Sequence, residues 1–412
     1  MKFVKPSRIS GKIDAPPSKS MMQRAVIAAA LADGESRIAN PSFCDDALAA
    51  MNVVEALGAS VEKGKSDVRI TGGGKPQRSV LDCGESGTCM RMISAVAALY
   101  DREFTVTGRG SLMNRPVGMI DGPLKELGAE CSTNKGMPPL NIMGPMRGGS
   151  AKVDGSLSSQ FLSGLLMALP LCREDSELKV AGLRSRAYVS MTLSLMGGFG
   201  IRAQADERME KFSVHGGQKY RAQKYEVEGD WSGAAFILVA GAIAGEAEVE
   251  RLGKGLQPDE GIKTALLLAG AGLETGIDAA KASGGKLKAF EFDAGDCPDL
   301  FPPLAVLACC CEGKSVLRGA LRLRHKESDR AAVLARELGK IGADINVSGD
   351  RMEIEGRRLR GGKIDPHGDH RIAMAGAIAG LVSEKGVEIE DESCVSKSYP
   401  GFFRDLESLV MG

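Results

Sequence analysis

Histidine is scarce, with four in 412 residues. Two of them, His367 and His370 in HGDH, have no cysteine or third histidine nearby in sequence. No metal is therefore expected. The ten cysteines are scattered without a CxxC pair, which excludes the usual zinc and dithiol motifs. Reduced thiols in a cytoplasmic protein are the better reading. Long apolar runs are missing too. The longest, AAFILVAGAIAG (234–245), is too short to cross a bilayer. The opening MKFVKPSRIS lacks the apolar core of a signal peptide. Net charge is absent as well, with 53 basic residues against 53 acidic ones. Such a chain has no global field for nucleic acid or an anionic membrane, so any positive site must be local. What remains is a globular composition, 43% apolar and 26% charged, long enough for two or three domains.

What the sequence does contain is a repeat. Ala/Leu-rich helical patterns begin near Ser20, Thr88, Gln160, Ser232, Phe301 and Arg371. After the intervening segments come five stretches that read strand, turn, strand, with alternating apolar residues. Their glycines, Gly58, Gly128, Gly200, Gly272 and Gly342, recur every 70–72 residues. The sixth copy is truncated, its second helix FFRDLESLV ending the chain. Six βαβαββ units, three per domain, predict two similar α/β domains. The expected domains are 17–228, and 1–16 with 229–412.

The repeat disposes of a decoy. ASVEKGKS (59–66) and ACCCEGKS (308–315) fit a relaxed phosphate-loop pattern. A true phosphate loop follows a strand and opens a helix. Both segments here follow a helix, so Gly-Lys-Ser is turn chemistry.

The helix starts pose the chemical question. PSKSMMQR, ESGTCMR, LSSQFL, GDWSGAAF, CPDLFPP and GDHRIAM mostly carry Ser, Thr, Gly or Asp caps. Yet Lys19, Arg24, Arg91 and Arg371 place cations where the helix dipole favours acids. Each cation could simply reach into water. Six such ends meeting in a cleft between two domains would instead combine free N–H groups, hydroxyls and cations for phosphates and carboxylates. RLRHKESDR (322–330) and NRPVG (114–118) add charge to that set. Asp299 and Glu327 fall among these cations as acid/base candidates.

At these residues the chain resembles the 5-enolpyruvylshikimate-3-phosphate synthase family, essentially end to end. The resemblance implies two inside-out α/β domains of three βαβαββ repeats each, with the active site in the interdomain cleft. It implies an enzyme that transfers the enolpyruvyl group of phosphoenolpyruvate to the 5-hydroxyl of shikimate 3-phosphate, releasing phosphate, on the way to chorismate and the aromatic amino acids. No cofactor, nucleic acid or membrane partner is expected, and the expected state is a monomer. Lys19, Ser20 and Arg24 match the family's SKS-xxx-R segment. Lys19 would face both substrates, with Ser20 and Arg24 on shikimate 3-phosphate. SGTCMR would place Gly87 beside phosphoenolpyruvate with Arg91 in support, and Arg115 would bind its phosphate. Ser158, Ser159 and Gln160 match the SSQ motif at the shikimate phosphate, with Gln160 also near phosphoenolpyruvate, and Ser185 would bind the same phosphate. Asp299 would hydrogen-bond the shikimate ring. Lys326, Glu327 and Arg330 match K-E-[ST]-D-R, implying shikimate contact, proton transfer and phosphoenolpyruvate carboxylate binding in turn. Arg371 and Lys397 would complete the phosphoenolpyruvate clamp. Asp299, Glu327 and Lys19 are the catalytic candidates; which of them moves which proton stays open. Glyphosate would compete for the phosphoenolpyruvate site.

Some positions depart from the family pattern: Pro17, Glu85, Cys89, Met92, and Arg322 where many members carry asparagine. The sister UDP-N-acetylglucosamine enolpyruvyltransferase has a Lys-Asn pair at the first helix and a reactive cysteine before RPV. This chain has Lys19-Ser20, and GRGSLMNRPVG lacks cysteine. A non-catalytic metabolite-binding protein, or a relative that processes RNA ends, is the rival of another class. The neutral charge and the retained Glu327 argue against both.

Overall fold

Residues 1–253 and 255–411 are described by the structure, a computed structural model. Among them one pattern recurs: strand, buried helix, strand, second helix, hairpin. In the second repeat Val80–Asp82, Gly87–Ala97, Glu103–Thr107, Asp121–Glu126, Glu130–Asn134 and Met137–Met143 follow in that order. The first two strands pair in parallel, with Leu81 opposite Val106. The hairpin folds back antiparallel, with Val106 opposite Leu140. The third and fifth repeats build four-stranded sheets of the same order.

The central helices begin at Lys19, Gly87, Gln160, Trp231, Phe301 and His370, each within one residue of the position expected from the repeat. Gly64, Lys65 and Ser66 occupy the turn between Ser60–Lys63 and Asp67–Gly72. The second Gly-Lys-Ser leads from the helix Phe301–Cys309 into the strand Lys314–Arg318. Neither opens a helix.

The chain divides into two units, Met1–Pro16 with Glu228–Gly412, and Pro17–Val227. Strand pairing explains why the N-terminus joins the later residues. Lys12–Asp14, just ahead of the first helix, pairs in parallel with Glu246–Glu250 of the fourth repeat. Conversely Lys224–Glu226, just ahead of the fourth repeat, lies in parallel beside Ala32–Ala39 of the first. Among the described residues the sixth repeat shows no hairpin after its second helix. Lys2–Val4 takes that place, antiparallel to Val387–Ile389. Glu228 goes with the fourth repeat, where its carboxylate accepts from Gln257 Nε2 at 2.7 Å.

Each unit keeps three nearly buried helices at its centre and its sheets outside them. A helix buried all round must be apolar all round. In Trp231–Ala244 every residue but Ile243 is buried. Leu162, Leu165 and Leu166 are wholly enclosed in the helix Gln160–Ala168, each worth roughly 2–3 kcal/mol of burial. Small residues let these helices approach closely. A Cβ added at Gly164 would lie 2.6 Å from Met92 Cα on the neighbouring helix, so only glycine fits. Caps finish the starts: Ser18 Oγ accepts from Met21 N–H at 3.4 Å, Ser86 Oγ from Cys89 N–H at 3.2 Å, and Asp230 Oδ2 from Gly233 N–H at 3.1 Å. Each contributes about 1 kcal/mol.

Candidate functional site

In the unit Pro17–Val227 the site residues gather at the N-terminal ends of the central helices. Lys19 Nζ lies 3.0 Å from Asp46 Oδ2, with both side chains largely buried. Asp46 opens the helix Asp45–Ala56, so one helix start supplies the acid that the other lacks. Arg24 is wholly buried. Its Nε donates to Thr192 Oγ1 at 2.8 Å, Nη1 to the Ser20 carbonyl at 2.8 Å, and Nη2 to the Tyr188 carbonyl at 3.3 Å. Its Cζ also sits 6.0 Å from the Tyr188 ring centroid. Burial pulls this guanidinium down to about 10.

Around Gly87 two guanidiniums close in. A Cβ there would meet Arg115 Nη1 at 2.8 Å and Arg91 Nη1 at 2.9 Å. Arg91 is pinned, its Nη1 donating to Gln160 Oε1 at 2.8 Å and its Nη2 to the Pro116 carbonyl at 3.0 Å. Gln160 in turn donates through Nε2 to Thr88 Oγ1 at 2.7 Å. Ser158 Oγ accepts the Gln160 N–H at 3.2 Å. Ser159 and Ser185 are buried at the starts of their helices. Ser185 has φ +54°, in the left-handed region that few non-glycine residues adopt, and this aims a hydroxyl-bearing residue at a helix start.

The unit containing Glu228–Gly412 holds a denser cluster. Asp299, in the turn before the helix Phe301–Cys309, accepts from three cations. Lys326 Nζ is 3.3 Å and Arg330 Nη1 2.9 Å from its Oδ1, and Arg371 Nη2 is 3.0 Å from its Oδ2. Burial pushes the Asp299 carboxyl up, but Arg371, Lys326 and Arg330 outweigh it and hold the group well below the usual carboxylate range. An acid so held suits accepting hydrogen bonds better than taking a proton.

Arg330 is also wholly buried. Its Nε and Nη2 grip Asp369 at 2.9 and 3.1 Å as a fork, and Nη2 reaches Glu327 as well. Burial pulls this guanidinium down, yet Asp369, Glu327 and Asp299 raise it overall. The clamp expected to bind a substrate carboxylate is thus occupied by protein carboxylates, with most of its N–H groups engaged. Burial lowers Lys326 to about 8, only partly offset by Asp299. Lys397 is buried in the turn Ser393–Lys397.

A model of the EPSP synthase (3-phosphoshikimate 1-carboxyvinyltransferase) family matches residues 3–406. The chain belongs to that family. The 3-phosphoshikimate 1-carboxyvinyltransferase of Methanocorpusculum labreanum is 39% identical over 414 residues, covering 99% of this chain and 98% of the relative. The enzyme of the same name from Methanothrix thermoacetophila is 41% identical over 411 residues, covering 98% and 96%. An EPSP synthase structure from Acinetobacter baumannii superposes with a TM-score of 0.82 at 30% identity, covering 99% and 97%. The α/β architecture of helices and several separate sheets is therefore that of the family.

Sequence reasoning missed Asp46, Asp369, Thr88, Thr192 and Tyr188. Asp369 was legible only as a helix cap, and it does accept the Arg371 N–H at 3.0 Å. Its second task, gripping Arg330 and accepting from Ser328 Oγ at 3.1 Å, had no local signal. The departures are accommodated rather than idle: Glu85 accepts from Ser111 Oγ at 3.3 Å, and Arg322 Nη1 donates to the Gly295 carbonyl. Cys89 and Met92 are fully buried in the core. His367 faces Glu337 at 3.1 Å and Asp365 at 3.2 Å. Among the described residues no group of His, Cys, Asp and Glu side chains is arranged to hold a metal ion. Nor is any helix there long and apolar enough to cross a membrane.

Proposed function

We propose that the protein transfers the enolpyruvyl group of phosphoenolpyruvate to the 5-hydroxyl of shikimate 3-phosphate, and that the two residue sets act on one substrate pair. The observation that carries this is the family match across residues 3–406 in a chain that keeps Lys326, Glu327, Arg330 and Arg371 around Asp299. In the first half-reaction the hydroxyl oxygen bonds to C2 of phosphoenolpyruvate, the hydroxyl loses its proton, and the methylene carbon gains one. In the second the C–O bond to phosphate breaks and a methyl proton leaves, restoring the vinyl group.

Lys19, Arg115 and Lys397 stabilise the departing phosphate, the largest electrostatic contribution in such a site. Ser158, Ser159, Ser185 and Arg24 hold the shikimate phosphate, and Gly87 lets phosphoenolpyruvate approach the helix start. Glu327 and Lys19 carry the protons. Asp299, held ionised by its three cations, positions the shikimate ring. Arg330, gripped by Asp369, braces Arg371 and Glu327 through Asp299 and directly. The reaction runs in the cytoplasm, which suits ten thiols that are all free of disulfides.

Phosphate release measured with shikimate 3-phosphate and phosphoenolpyruvate tests the reading, with the product checked by NMR. Release is expected only with both substrates present. Release with UDP-N-acetylglucosamine instead would assign the sister activity, and binding of shikimate 3-phosphate without turnover would leave a metabolite-binding protein.

A further inference from the structure

The three central helices of the unit Pro17–Val227 carry the candidate site at their N-terminal ends. Where the same helices end, the structure has a cavity of about 850 Å³. Its apolar floor includes Leu31, Leu99 and Leu171, one from the end of each helix or just beyond it. Helices that diverge at their ends leave a hollow for geometric reasons, so volume alone identifies nothing. The charges around the hollow are the informative feature.

Asp101, Arg147, Arg173 and Glu174 line the cavity, all four exposed. Among the described residues none of these four side chains makes an ion pair or a side-chain hydrogen bond. The other unit offers a control. Its hollow of about 440 Å³, lined by Cys309, Cys310, Arg357 and Arg358, has its arginines taken. Arg357 pairs with Asp344, and Arg358 Nη1 lies 3.7 Å from Glu384. Two cations and two anions left without partners around an apolar floor match a zwitterion with an apolar body. The arginines suit a carboxylate; the two acids, and the partial negative charge of the helix C-termini, suit an ammonium. Tyr100 adds an aromatic wall, braced edge-on by Phe104 with ring centroids 5.8 Å apart. The volume lies within the range of small-molecule sites.

We propose that this cavity binds an α-amino acid with a large aromatic side chain. L-Phenylalanine is the probe, titrated into the full chain by calorimetry with shikimate 3-phosphate saturating, so that the candidate active site is occupied. Millimolar or tighter binding is expected. Phenethylamine and 3-phenylpropionate, each lacking one charge, should bind roughly tenfold or more weakly, the scale of one charge-assisted hydrogen bond. Arg147→Glu and Arg173→Glu should each weaken L-phenylalanine by a similar factor and leave the melting temperature unchanged, since both side chains are exposed. No binding up to about 10 mM, equal affinity for all three probes, or affinity unmoved by both charge reversals would overturn the proposal. The readout is binding, so it stands or falls separately from the enolpyruvyl-transfer assay.

Discussion

Lys326 should make substrate binding sensitive to pH just above neutrality. Its side chain is about a fifth exposed, and burial brings the ammonium down to about 8 from an ordinary 10.5. The chief counterweight is Asp299, whose Oδ1 lies 3.3 Å away. A unit pair at that distance attracts by about 5 kcal/mol at an effective dielectric near 20, before solvent and the other cations screen it. Asp299→Asn removes this attraction while keeping shape. After screening we expect Lys326 to fall by about 1–2 pH units more, so that it is largely neutral at pH 7.5. The assay is the dissociation constant of shikimate 3-phosphate by calorimetry between about pH 6 and 9.5. In the unaltered protein affinity should hold below about 8 and then weaken by up to tenfold per pH unit. In Asp299→Asn the break should move down by about one unit or more, and in Lys326→Arg it should vanish. The sign carries over to stability. Folding lowers this ammonium's pKa, so the unfolded chain binds more protons between about 8 and 10.5, and stability rises with pH across that window. A break that stays near 8 in Asp299→Asn, or survives Lys326→Arg, refutes the reasoning.

Three further perturbations test other parts of the site. Asp369→Asn keeps the helix cap but weakens the fork to Arg330, which should cost roughly 1.5–3 kcal/mol in denaturant unfolding; a loss below about 0.5 kcal/mol would mean that Asp299 and Glu327 suffice to hold Arg330. Glu327→Gln should lower turnover at least ~100-fold with shikimate 3-phosphate affinity nearly unchanged, and near-normal turnover would pass the proton to Lys19. Gly87→Ala places a Cβ 2.8 Å from Arg115 Nη1 and 2.9 Å from Arg91 Nη1, so one or both guanidiniums must shift. The KM for phosphoenolpyruvate should rise roughly tenfold and inhibition by the longer glyphosate should weaken further, whereas equal losses for the two ligands would remove Gly87 from that site.

By itself the sequence determined the elements that repeat locally. Gly58, Gly128, Gly200 and Gly342 have positive φ where a helix meets a strand. In the fourth repeat that place is taken by Gly270 at φ +82° rather than by Gly272, which already lies in the strand Gly272–Thr275. The need for a left-handed residue there keeps the period through divergence. Apolar periodicity and short polar caps then located six central helices, because both signals lie within one helical turn. Motifs such as KESDR and DHR marked candidate residues for the same reason. Only the tertiary structure decided which charges meet. Lys19 finds Asp46 and Arg330 finds Asp369, partners 27 and 39 residues away, with no local pattern announcing them. Arg24 is legible as a cation at a helix start, but only the fold shows that Thr192 and the Ser20 and Tyr188 carbonyls fix its guanidinium. The strand exchange was equally invisible, since Lys12–Asp14 and Lys224–Glu226 are short and ordinary, and their partners were settled by which sheet edge lay open. Local chemistry sets which segments are helix and which are strand. Desolvation and the need to satisfy every buried charge and backbone group select their partners across the chain.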